Sequence, residues 1–165
     1  MNNIDLFLAT NREGKAVSAP VKKYELIETI KVTEDDVNSI SRTQDLNGVD
    51  YNFEKILVKI GTSVTDKTAN IIVKTVGNPS KATFENGIAT EQGGSYMFYE
   101  MDVSSGIRVL TFSSVERNGN QSTLHSRESC LTLYENNITS LTVSTGSTDV
   151  PFPLNSTITI FAVRC

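Results

Sequence analysis

The chain is poor in the residues that most enzyme chemistry leans on. It has no tryptophan, one histidine, two cysteines and four prolines among 165 residues. The lone His125 excludes a histidine-rich zinc centre, and Cys130 and Cys165, 35 positions apart, form no CxxC knuckle. No metal or organic cofactor is expected, and no catalysis. Cationic residues are scarce as well: 15 Lys and Arg against 19 Asp and Glu give a net charge of −4, so a general nucleic-acid-binding face is not expected. No apolar run approaches the roughly 20 residues that cross a bilayer, so no membrane insertion is expected. The opening Met1–Asp5 lacks a basic n-region, and Leu6–Ala9 is too short for a secretory h-region. Synthesis and folding in the cytoplasm are therefore expected, with both thiols reduced. Cys130, between Ser129 and Leu131, reads as a small core residue, and Cys165 as exposed and oxidisable.

What is present points to one β domain. The length suits a single domain that needs no staples, and 38 % hydrophobic with 21 % charged residues suits a folded chain. From Tyr24 onward, β-branched runs of five to nine residues alternate with Gly, Asn and Pro breaks. Strands are expected at Tyr24–Val32, Asn38–Thr43, Phe53–Ile60, Asn70–Val76, Ser95–Val103, Gly106–Ser113, Leu124–Leu133, Ile138–Val143 and Ser156–Val163. Asp45-Leu-Asn-Gly48 and Asn118-Gly-Asn120 are turn signals, whereas Asn86-Gly87 and Gly93-Gly94 bracket a turn-rich stretch. Phe53 falls out of phase with Val58 and Ile60, so the core face of that strand stays open. No window keeps helical spacing. The pattern predicts an all-β, antiparallel β-sandwich of jelly-roll type.

Residues 1–21 read as a separate N-terminal arm and linker, and residues 22–165 as the sandwich domain. Ile4, Leu6, Phe7 and Leu8 form an apolar knot, with one short strand expected there and an extended linker over Ala16–Pro20. Exposed Leu and Phe invite aggregation, so the knot predicts a contact with a neighbouring subunit; the alternative is an edge strand folded back onto its own domain.

Three stretches resemble a group of small bacteriophage virion proteins. They are Tyr24–Ile40 continued by Gln44–Ile60, the segment around Ile138–Val143, and Pro153–Val163. Such jelly-roll domains of phage tail, baseplate and capsid-surface proteins open with an "ELI…I…ED…SI" strand pair and a "DLDG…F" turn. They close on "G-S-x-I-x-L-Y-G-I". Here Asn155 stands where Gly is usual, Phe161 replaces the Tyr and Ala162 the second Gly; Ala there fits a regular strand. The resemblance implies a structural part of a phage particle, made in the host cytoplasm and located in the virion. Its partners would be other virion proteins and copies of itself.

Candidate sites compete with plainer readings. Glu34-Asp-Asp36 is the densest acidic cluster but lacks the alternate-position spacing of a calcium loop, and reads as a solvated turn. Ser126, beside His125 and near Glu128, has no nucleophile-elbow context. In a strand, Tyr96 and Phe98 share one face and Tyr99 takes the other. The Tyr96/Phe98 pair is the preferred core face, yet aromatics left outside would stack on a sugar ring or bury against a neighbour. Tyr96, Phe98 and Tyr99 are accordingly the candidate exposed aromatic contacts. Two functions follow: a capsid-decoration, neck or tail/baseplate subunit that works by docking, or a receptor-binding module for a host cell-surface carbohydrate. The missing tryptophan argues mildly against the second.

Overall fold

A computed structural model describes residues 6–10, 16–20, 22–62, 69–77, 82–89, 96–104, 108–118, 121–131, 137–146 and 149–165. Those residues form twelve strands and no helix. In chain order they are β1 (Leu6–Thr10), β2 (Ala16–Pro20), β3 (Glu25–Lys31), β4 (Ser39–Arg42), β5 (Phe53–Gly61) and β6 (Ala69–Gly77). Then come β7 (Ala82–Ala89), β8 (Tyr96–Asp102), β9 (Arg108–Asn118), β10 (Gln121–Leu131), β11 (Ile138–Ser144) and β12 (Thr157–Arg164). Every pairing is antiparallel. One limb of a curled sheet runs β3-β12-β5-β8-β9-β10. The other runs β4-β11-β6-β7, and a single pair, Ile138 opposite Phe53, joins the limbs.

The limbs share one core. β5 contributes Phe53, Ile56, Val58 and Ile60, β8 contributes Met97, Tyr99 and Met101, and β12 contributes Ile158, Ile160 and Ala162. Ile71 and Val73 of β6 and Leu141 and Val143 of β11 enter from the other limb. Each of the buried Val, Leu, Ile, Met and Phe side chains among them stabilises the fold by about 1.5–3 kcal/mol. One buried polar contact between the limbs is satisfied: the Thr75 hydroxyl of β6 meets the Tyr99 hydroxyl of β8 at 3.1 Å, as burial requires.

β-bulges explain the phase problem in β5. Val163 pairs with Lys55 but Arg164 pairs with Phe53, so Glu54 is an extra residue and the alternation restarts there. Phe53 and Ile56 then both face inward. β3 repeats the device: Ile160 pairs with Glu28 and Phe161 with Leu26, leaving Ile27 extra. Ile27 and Glu28, adjacent in sequence, are consequently both buried.

Two expectations need correction. Asn86-Gly87 is no turn; it lies within β7, paired with Ile72 and Ile71, because a long neighbour overrides local preference. Ala16–Pro20 is no linker: as β2 it pairs with β1, Leu6 opposite Pro20 through Thr10 opposite Ala16. Among the described residues this hairpin hydrogen-bonds to neither limb. Ile4 lies outside the described residues, as do the side chains of Leu6, Phe7, Leu8, Tyr96 and Cys130. Asn155 has φ +66°. A glycine is the usual answer to that left-handed backbone and Asn the next best tolerated. Ala162 sits in regular β12, wholly buried.

Candidate functional site

The chemistry-bearing side chains gather where β3 and β4, the terminal strands of the two limbs, lie beside each other. A groove of about 390 Å³ opens between them, lined by Ile30, Val32, Val37, Ser39 and Ile40 among others. Ile30, Val37 and Ile40 are only partly buried there, at the margin of the core. A second hollow of about 350 Å³ adjoins it, lined by Glu28, Arg42, Thr43, Gln44, Asp45 and Leu46 among others.

Ion pairs build the floor. Arg42 of β4 grips Glu28 of β3 with both ends of its guanidinium, Nε to Oε2 at 2.8 Å and Nη2 to Oε1 at 3.1 Å. The bidentate geometry explains an arginine here, since lysine offers a single point charge. Arg164 of β12 donates to Glu25 and to Asp45, each at 2.6 Å, and lies 5.4 Å over the Phe53 ring. The Tyr51 hydroxyl is enclosed beneath this cluster with no hydrogen-bond partner. Burial, reinforced by the Glu28 charge, pushes its pKa up to about 12.

The loop between β4 and β5 is braced from within. Asp45 Oδ1 accepts the backbone N–H groups of Asn47 (2.8 Å) and Val49 (3.0 Å), and the Asp45 and Val49 backbones pair as well. Gly48, at φ +77°, makes the turn that Asn47-Gly48 signalled. Gln44 bonds Asp50, closing the loop below. The result is a fixed platform carrying two apolar side chains outward, Leu46 at 74 % and Val49 at 51 % exposure.

The acidic residues give the cluster a pH signature. The Val49 N–H bond, then Arg164 and the Asn47 N–H, hold the Asp45 carboxyl below its ordinary value although desolvation opposes them. At the far end of β8, burial raises Asp102, but bonds from Lys55 and Ser104 outweigh it and the net shift is down. A depressed folded value stabilises the protein above the unfolded pKa of about 3.9, and that stabilisation disappears as pH falls through the folded value. The melting temperature should therefore hold between pH 7 and 5 and fall below about pH 4. Calorimetry across that range checks it, and a melting point unchanged to pH 2 would contradict it.

The aromatic candidates separate. Tyr99 is wholly buried, so it is no exposed contact, and the preferred core pair is reversed: Met97, Tyr99 and Met101 form the inner face of β8. Phe98 is half-buried on the outer face, where the Lys59 ammonium lies 5.7 Å from its ring and 5.0 Å from that of Phe161. Glu34, Asp35 and Asp36 are exposed in the β3–β4 turn. Among the described residues no three His, Cys, Asp or Glu side chains come together as metal ligands would. Ser126 is exposed on β10, opposite Ser113, and Cys165 is exposed after β12. Sequence reasoning missed the Arg42–Glu28 and Arg164–Asp45 pairs and the Leu46/Val49 platform. Only the platform left a trace, as two apolar residues inside a turn signal.

No protein-family model matches the chain, and no curated protein matches it.

Proposed function

We propose that the chain is a structural component of a bacteriophage particle, a capsid-decoration, neck or tail/baseplate subunit that works by docking and not by catalysis. The observation that carries this reading is where the three family-like stretches fall. They supply β3, β4, β5, β11 and β12, which form one unbroken chain of hydrogen-bonded pairs, β3-β12-β5-β11-β4. A chance likeness would scatter over unconnected elements. The left-handed Asn155, at a position where the phage pattern has Gly, supports the same reading. A jelly-roll description of the two limbs belongs with this proposal.

The braced Leu46/Val49 loop is the docking element. Its preorganisation lowers the ordering cost of association. The carbohydrate alternative gains nothing from the outer face of β8, because a lysine ammonium covers the rings a sugar would stack on.

Mass spectrometry of purified particles from the phage that encodes the chain tests the reading: absence from the particle overturns it. Replacing Leu46 and Val49 together by Ser should leave thermal stability almost unchanged, within about 0.5 kcal/mol per site as for other exposed positions. Incorporation should drop sharply. Full occupancy with both serines would rule this loop out as the docking element.

A further inference from the structure

The N-terminal hairpin is the part of the molecule least explained by its own domain. Its ten strand residues, Leu6–Thr10 and Ala16–Pro20, carry no charge. Natural edge strands are blunted by charges, Pro or bulges so that they do not recruit other chains, and here only Pro20 serves. Where the hairpin leaves the domain is fixed by the residues that follow it. Lys22 Nζ is salt-bridged to Glu54 of β5 at 2.7 Å. The Tyr24 hydroxyl donates to Glu100 of β8 at 2.6 Å. Both anchors lie beyond β12, on the side of β3 opposite its terminal edge. The side chains of Lys22 and Tyr24 thus reach across β12 to β5 and β8.

The chain's own hairpin does not pair, among the described residues, with the β3 edge beside the groove. Among the described residues β3 pairs only with β12 and β4 only with β11. The groove between them leaves Ile30, Val37 and Ile40 half-covered at the core margin. A strand added there would satisfy backbone groups and cover those side chains at once, the usual logic of strand addition.

We propose that the hairpin of one copy docks on the β3–β4 groove of a second copy, adding a strand to the β3 edge. This rests on the assembly reading in taking a second copy as the partner, and it names the surface. Each copy gives a hairpin and offers a groove at a different place, so the contact closes by reciprocal exchange in a two-fold dimer or runs head-to-tail into a ring or filament.

Two measurements test it. Deleting residues 2–20 should convert an oligomer into a folded monomer by sedimentation, with the melting temperature kept. In a disulfide trap, differently tagged copies are mixed, all carrying Cys165→Ser. One copy bears Leu8→Cys or, separately, Ala9→Cys to sample both strand faces; the other bears Ser39→Cys at the exposed groove rim. A linked heterodimer that disappears when Ser39 is restored is the expected result. If the truncated protein stays oligomeric, or no variant cross-links, the hairpin contact is overturned while the assembly reading stands. A truncated chain that unfolds as a monomer overturns it too, since the hairpin would then belong to its own core. Full-length protein that is monomeric at every concentration yet present in particles overturns the self-contact alone. If it is also absent from particles, both fail.

Discussion

Replacing Phe53 by Ala should remove about 3–5 kcal/mol of stability, the range for truncating a fully buried aromatic. The ring is wholly buried, packs 4.7 Å from the Tyr51 ring at a 49° tilt, and lies beneath the Arg164 guanidinium. Its backbone is also where the limbs meet, opposite both Ile138 and Arg164. β5 is held by β12 on one side and β8 on the other, so the strand has little freedom to move inward and close the cavity. That places the expected loss at the upper part of the range. Domains of this kind hold roughly 5–15 kcal/mol in total, so a large share of stability goes with one side chain. Urea denaturation reads the loss as a lower midpoint at nearly constant slope. Phe98→Ala is the control: half-buried on the outer face, it should lose far less. Equal losses at the two positions would mean that the inner and outer faces of the limb are assigned wrongly.

The faces of β8 show both what the sequence carries and how it is misread. Ranking the aromatics alone favours Tyr96 and Phe98 for the core. Yet Glu100 and Asp102 have the same parity as that pair, and two carboxylates mark a solvent face more decisively than two rings mark a core. Met97, Tyr99, Met101 and Val103 have the other parity and are all buried. The signal was there; the wrong residues were counted. β5 is a different case. Its extra residue, Glu54, is visible only in the register with β12, a strand more than a hundred positions away, so no local pattern reveals which face Phe53 takes. β7 was hidden for a similar reason, since its strand state depends on lying along β6. The ends of β3, β8, β11 and β12, by contrast, follow from β-branched runs and their Pro, Asn and Gly stops. The site was least legible because its ion pairs join distant segments: Glu28 with Arg42 across the limbs, and Asp45 with Arg164 across most of the chain.

That cross-limb pair is where the second large effect is expected. Arg42→Ala leaves the Glu28 carboxylate, with side-chain exposure of 9 %, without the two guanidinium donors that now satisfy it. Stranding one partner of a fully buried pair costs about 3–5 kcal/mol. Arg42 is 34 % exposed, so water reaches the vacated side and screens part of the penalty; about 2–3 kcal/mol is the expected loss. Removing both charges tells a different story. Glu28→Met with Arg42→Leu replaces the pair by apolar volume beside Ile30 and Ile40 and should recover most of the loss, because neither charge is then left unsatisfied. The single and double variants complete a thermodynamic cycle whose coupling should exceed about 1 kcal/mol. A coupling indistinguishable from zero, with Arg42→Ala as stable as the parent, would mean that the limbs are held at this edge by their strands alone.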